Sequence, residues 1–159
     1  MEPHNTLKEE EAGQLLDALE KLTGSVPVQY IIGKTIFMDM ELQVSPAVLI
    51  PRPETEELVR WILGSHPSRG PLNLLDVGTG SGCIALGLKR NWEGANVIAM
   101  DLSARALEVA RRNARELHLD VRFRQGDIRE PGQSWPVFDI IASNPPYIPD
   151  GDRECMQPH

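Results

Sequence analysis

The sequence predicts an α/β fold, a doubly wound parallel sheet, on three observations. Short apolar runs alternate with helical patterns from residue 72 to residue 143, the order that builds parallel strands joined by helical crossovers. The first run enters Gly78-Thr79-Gly80-Ser81-Gly82 and a helical pattern follows at once; strand, glycine turn and helix N-terminus in that order cradle a nucleotide-like ligand. Asp101 and Asp127 close the next two runs, so acidic side chains stand in register with the loop at successive strand ends.

Ahead of that unit, Thr6 followed by Glu9 has the spacing of a capping box, and Ala12, Leu15, Leu16, Leu19 and Leu22 recur at helical intervals before Gly24. An amphipathic helix over 6–23 is expected. From Tyr30 to Ser45 the apolar residues alternate with period two around Met38-Asp39, which reads as a β-hairpin on a turn weaker than Asn-Gly. The loop Ile50-Pro51-Arg52-Pro53 then delivers a helix with Glu54, Glu56 and Glu57 in its first turn, where the helix dipole favours them, and one apolar face of Leu58, Val59, Ile62 and Leu63. After a polar loop the expected order is strand 72–77, helix 82–90, strand 95–101, helix 103–117, strand 120–125 and strand 137–143. Three segments follow: residues 1–26, a hairpin linker at 27–48, and the main α/β domain at 49–159.

Composition narrows the class. With 159 residues, 41% hydrophobic and 25% charged, the chain has room for one core and is neither collagen-like nor disordered in composition. Sixteen Lys and Arg against 23 Asp and Glu give a formal charge of −7, which disfavours direct binding to a phosphate backbone. Cys83 and Cys155 are far apart, and His4, His66, His118 and His159 lie in no ligand spacing, so neither metal nor disulfide is expected. No basic segment precedes an apolar run, and no run approaches the ~20 residues that span a bilayer; a soluble, cytoplasmic protein is expected. Trp61, Trp92 and Trp135 are expected to pack, and Arg105, Arg111, Arg112 and Arg115 to form a solvated helix face.

The glycine spacing is GxGxG. A dinucleotide fingerprint would place its third glycine where Cys83 stands, and no Gly-Lys-Ser/Thr follows. S-adenosylmethionine suits this loop, since it has no pyrophosphate to neutralise and presents an amino-acid moiety. Gly78, Thr79, Gly80, Ser81 and Gly82 would lie along it, Asp101 would accept both ribose hydroxyls, Asp127 would meet the adenine amino group, and Ile128 would offer the ring an apolar face. Taken alone such a loop is also an ordinary turn, and Asp101 also lies next to a helix cap; the register of the three strand ends favours the ligand.

The fourth run continues into Asn144-Pro145-Pro146-Tyr147. Consecutive prolines stiffen the loop and hold the residue before them extended. The Asn144 side-chain oxygen and the carbonyls of the proline segment are then fixed acceptors. A planar nitrogen is a poor nucleophile because its lone pair is delocalised; two acceptors gripping its N–H groups orient it toward a methyl donor, with Tyr147 stacked on its plane. The bland reading is a proline turn closing a strand, which the adjacent cofactor loop outweighs.

With Pro27-Val28-Gln29-Tyr30-Ile31-Ile32-Gly33, Leu49-Ile50-Pro51-Arg52-Pro53-Glu54-Thr55-Glu56-Glu57, the glycine loop, Asp101 and Asn144-Pro145-Pro146-Tyr147, most of the chain resembles the release-factor glutamine N5-methyltransferase family. The resemblance implies a Rossmann-like class I methyltransferase sheet, incomplete at its C-terminal edge and preceded by a helix and a β-hairpin. It implies that Gly78 to Gly82, Asp101, Ile128 and Asn144 line the S-adenosylmethionine site, and that Asn144, Pro145, Pro146 and Tyr147 hold a glutamine. Its implied partner is the Gly-Gly-Gln loop of a class I peptide chain release factor. Family members carry a longer helical docking domain, of which residues 1–26 would be a remnant, and further strands after the Asn-Pro-Pro-Tyr loop, so a shortened form is expected. The position of Ile128 is often aromatic in the family, which implies weaker stacking here.

Two other readings compete. An N6-adenine methyltransferase on DNA or RNA needs the same two-acceptor grip, together with base flipping and phosphate contacts; net acidity and the Pro-Arg-Pro-Glu-Thr-Glu element argue against it. A non-catalytic fragment that binds S-adenosylmethionine without turnover follows if the missing strands are needed for activity.

Overall fold

A computed structural model describes residues 8–66, 71–131 and 134–145. The first helix, α1 (Glu9–Thr23), starts three residues later than the sequence suggested. Thr6 lies outside the described residues, and the capping carboxylate is Glu11, whose Oε2 accepts the Lys8 amide at 2.8 Å. Leu15, Leu16, Leu19 and Leu22 are exposed.

The expected hairpin loses its first residues to a short helix, α2 (Val28–Ile32). Pro27 presets its entry, and Gly33, at φ 78°, stops it in the left-handed region. A short apolar run such as Val-Gln-Tyr-Ile-Ile has no period that separates helix from strand. The remainder pairs as predicted, β1 (Lys34–Phe37) antiparallel to β2 (Met40–Gln43) with Phe37 opposite Met40. Met38 and Asp39 take φ of 46° and 59°, the pair of positive angles a two-residue turn of this hand requires. These cost a non-glycine residue about 1 kcal/mol each. Glu56 Oε1 helps hold the turn by accepting the Met38 amide at 2.9 Å.

The next helix, α3 (Pro53–Ser65), has proline in its first turn and buries Thr55, Val59 and Ile62. Trp61, expected to pack, projects from it 69% exposed. Trp92 does pack against the core, and Trp135 lies with its ring 4.0 Å from the Arg124 guanidinium.

Four parallel strands follow: β3 (Asn73–Val77), β4 (Asn96–Asp101), β5 (Arg122–Gln125) and β6 (Ile140–Ser143). They stand in the order β5-β4-β3-β6, with α4 (Cys83–Asn91) and α5 (Ala104–Glu116) as crossovers. The chain order reverses between β3 and β6, so the crevice at their C-terminal ends is the place where such sheets bind ligands. Strand β6 begins three residues later than expected because the Asp139 side chain, rather than a further ladder residue, accepts the Asn73 amide at 2.7 Å.

Register puts Leu74 beside Val97 and Ile140, and Asp76 beside Ala99 and Ala142. On this face α3, α4 and α5 close a core around Val59, Ile62, Leu86, Leu88 and Ala114. On the other face Ile141 is 64% exposed. The hairpin docks on α4 at Gly87, where a Cβ would lie 3.3 Å from Val59 and 3.4 Å from the Met38 sulfur. Asn113, fully buried on α5, exchanges bonds with the Gln43 backbone and donates to the Ser81 carbonyl at 2.8 Å, joining hairpin, helix and glycine loop.

Asp76 is the other buried polar anchor. Its Oδ2 accepts the Thr79 hydroxyl at 2.6 Å and the Ala85 amide at 3.2 Å, while Oδ1 has no partner among the described residues. Burial pushes this carboxyl up to about 6 against the opposing bonds from Thr79 and Ala85, with the Asp101 charge adding to the rise. The native state therefore holds the proton more tightly than the unfolded chain. Stability from this group is complete below about pH 4 and falls as pH rises to about 6, by roughly 2–3 kcal/mol. Denaturant titrations of the wild type and Asp76→Asn should show their stability difference shifting toward the variant over that window; a flat difference contradicts the assignment.

Gly82, at φ 85°, leaves 3.2 Å between an added Cβ and both Ala110 Cβ and Leu86 Cδ1. Gly82→Ala is expected to cost about 2 kcal/mol of stability through positive φ and crowding together, measured by the same titrations; a change under about 0.5 kcal/mol contradicts this.

Candidate active site

The turn between β3 and α4 is built on the end of β4. Gly78 N–H and Thr79 N–H both donate to the Met100 carbonyl at 2.9 Å, and Gly80 N–H donates to Asp101 Oδ2 at 2.9 Å. Gly82 N–H closes back on the Thr79 carbonyl at 2.8 Å. These four amides are thus taken up within the protein, unlike those of an anion-binding cradle, which point at the ligand. Gly78 and Gly80 hold φ of 72° and 55° with open space where a Cβ would stand, so a ligand can approach the backbone there.

Above them lies a cleft of about 650 Å³. Its floor is Val77, Gly78, Gly80 and Met100, and one wall is Asp101, Leu102, Gly126, Asp127 and Ile128. Tyr30, residues 46–49, Asn144 and Pro145 complete the lining. Tyr30 donates its hydroxyl to the Val48 carbonyl at 2.8 Å.

The carboxylates differ in what they already hold. Asp101 accepts Gly80 N–H on Oδ2 and Ser103 N–H on Oδ1, each at 2.9 Å, which fixes its plane and leaves lone pairs for a ligand's hydroxyls. Asp127, assigned from sequence to an adenine amino group, is gripped by Arg129, whose Nε and terminal nitrogen approach its two oxygens at 3.0 and 2.6 Å. These bonds hold its carboxyl down at about 2. Cys83, at the start of α4, is buried with its thiol pushed up to about 12, first by burial and then by Asp76; it is no nucleophile.

Asn144 follows β6 directly, beside Gly78 across the strand pair, and Ser143 Oγ donates to the Val77 carbonyl at 2.9 Å. Asn144 borders three spaces: the ligand cleft, a second cleft of about 750 Å³ toward Arg52, Glu54 and Leu58, and a pocket of about 50 Å³ lined by Thr79 and Ser81. Asn144 Nδ2 donates to Thr55 Oγ1 of α3 at 2.8 Å.

Of the residues singled out from sequence, Gly78, Gly80, Asp101, Asp127, Ile128, Asn144 and Pro145 therefore gather around one cleft. Thr79 and Ser81 face the narrow pocket, and Gly82 sits behind the loop against Ala110 and Leu86. Pro146 and Tyr147 lie outside the described residues. Sequence reasoning gave no individual role to Tyr30, Leu49, Thr55 or Leu102, which reach the two clefts through tertiary packing. Arg52, whose role the sequence left open, borders the second cleft. Among the described residues no group of His, Cys, Asp and Glu can hold a metal ion, and no helix is long and apolar enough to cross a membrane.

The release factor glutamine methyltransferase of Koribacter versatilis is 40% identical over 158 residues, covering 98% of this chain and 55% of that protein. That of Bacillus subtilis is 51% identical over 128 residues, covering 77% and 44%. The chain thus spans about half the length of these relatives. Among solved structures, the Pyrococcus abyssi tRNA (uracil-54, C5)-methyltransferase in complex with S-adenosyl-L-homocysteine superposes with a TM-score of 0.56 at 27% identity, over 70% of this chain and 28% of that one. A Thermus thermophilus 16S rRNA methyltransferase shares the fold at 22% identity and a TM-score of 0.62, over 74% and 33%. The family described as methyltransferase domain matches residues 74–157, more than half of the 159 residues; on that match the chain belongs to the methyltransferase-domain family and is similar, over most of its length, to the release factor glutamine methyltransferases.

Proposed function

We propose that this chain binds S-adenosylmethionine over its glycine loop and transfers the methyl group to the side-chain amide nitrogen of a glutamine in a class I peptide chain release factor. The observation that carries the first half is the character of the cleft. Its loop amides already donate to Met100 and Asp101, and its walls bring Asp101 and Asp127 to the opening. With Asp127 ion-paired to Arg129, the Asp101 carboxylate is what disfavours phosphate here and favours a ligand with a positive charge and a nucleoside's hydroxyls. Asp101 takes the ribose hydroxyls, Ile128 covers the adenine, and Asp127 stands at the adenine amino group.

The bound cofactor supplies a methyl carbon made electrophilic by its sulfonium. The protein positions the nucleophile. Asn144 Oδ1 and the Pro145 carbonyl accept the two N–H groups of the glutamine amide, which orients the nitrogen lone pair toward the methyl group and favours its pyramidalisation. No strong base is needed before transfer, because the nitrogen becomes acidic only as it gains the methyl group. Tyr147 stacks on the amide plane. The second cleft, between α3 and Pro145, has the position and volume to receive chain beside that glutamine.

In this reading residues 1–26 belong to the docking segment, 27–48 to a linker whose Tyr30 and Val48 wall the cleft, and 49–159 to the catalytic domain. The protein works in the cytoplasm, beside the translation machinery. The names and identities of the relatives support the glutamine substrate over an adenine base, as does the net acidity of the chain.

The test uses cofactor labelled in the methyl group, the full chain, and release factor, DNA and RNA as acceptors. Label is expected on glutamine of the release factor. Asn144→Ala should lower turnover by roughly 10²–10³ while the Kd for S-adenosylmethionine changes less than about threefold. Label in nucleic acid alone, or unchanged turnover in the variant, contradicts the proposal.

A further inference from the structure

We infer that Thr55 is a positioning residue for the methyl-accepting site: its hydroxyl oxygen accepts the Asn144 amide N–H and so keeps Asn144 Oδ1 turned to the cleft. The inference rests on the glutamine reading above and adds to it a residue that acts through Asn144 rather than on the reacting nitrogen.

A carboxamide carries a donor at one end and an acceptor at the other, and rotation by half a turn exchanges them. Only one orientation serves a substrate N–H; the other sets two donors face to face. Asn144 follows the short strand β6 and borders three spaces, and the amide's nitrogen and oxygen are nearly equal in size, so shape alone does not choose between the two. The bond of 2.8 Å from Nδ2 to Thr55 Oγ1 does choose. Among the described residues it is the hydrogen bond that the Asn144 side chain makes.

Thr55 is built to be a fixed partner. It lies in the first turn of α3, where its amide donates to the Arg52 carbonyl at 3.0 Å, and only 4% of its surface is exposed. The β-branched side chain has few rotamers on a helix. Pro53 sets the start of that helix, and the neighbouring Val59 and Ile62 anchor it in the core. A rigid element thereby reaches across 89 residues of sequence to hold one acceptor still, which is what catalysis by orientation requires.

Thr55→Val removes the acceptor at nearly constant volume, and Thr55→Ser restores it. With the release factor as substrate, Thr55→Val should lower kcat by roughly 10–100-fold, the order expected for a misplaced catalytic group. The KM for release factor and the Kd for S-adenosylmethionine should change less than about threefold, and Thr55→Ser should regain most of the rate. In an Asn144→Ala background Thr55→Val should cost nothing further, because the two act as one unit; a role in packing alone would subtract the same amount in either background. Wild-type turnover in Thr55→Val, or equal losses in both backgrounds, overturns the positioning role and leaves the glutamine reading intact. No transfer by the unsubstituted chain overturns that reading, and the role of Thr55 falls with it.

Discussion

Two backbone amides, Gly78 N–H and Thr79 N–H, converge on the carbonyl of Met100 at the end of the neighbouring strand. That convergence sets the path of the glycine loop and takes up both amides within the protein. It also brings Asp101, the next residue after Met100, within reach of Gly80 N–H. A loop held this way offers a ligand open backbone and fixed carboxylates rather than a ring of donors. The preference proposed for a cationic nucleoside over a phosphate rests on that geometry, not on the glycines as such.

The rest of the fold keeps this arrangement in place from behind. Asp76 holds Thr79 and the first turn of α4 on one buried oxygen, at an electrostatic cost that rises above about pH 4. Asn113 ties the Ser81 carbonyl to the hairpin backbone, and Glu56 ties the hairpin turn to α3. Through Thr55 the same helix reaches Asn144. The hairpin thereby braces α3, which walls the second cleft, and Tyr30 and residues 46–49 line the first.

Much of this was legible in the sequence, for local reasons. The strands around Leu74, Val97 and Ile140 and the crossover helices announce themselves by apolar period, and the glycine loop by its spacing. The misreadings have physical causes of the same scale. Val28–Ile32 carries no distinguishing period, so Pro27 and Gly33 decided for helix. Asp139 cut β6 short because its carboxylate competes for a ladder amide. The contacts that escaped entirely are those between distant segments: Asn113 with Gln43, Tyr30 with Val48, Asn144 with Thr55. No propensity or spacing encodes a hydrogen bond across 89 residues; only the folded topology brings such partners together. Asp127 shows the remaining limit, since its placement at a strand end was readable but its grip by Arg129 was not.

Comparing two ligands that share a nucleoside but differ in charge probes the glycine loop most directly. Calorimetric titration of the full chain should show saturable binding of S-adenosylmethionine with a Kd at least ~100-fold below that of ATP, a gap of about 2.7 kcal/mol. Equal affinity for the two, or tighter binding of ATP, would mean that the loop presents donors to its ligand and would contradict this account of the cleft.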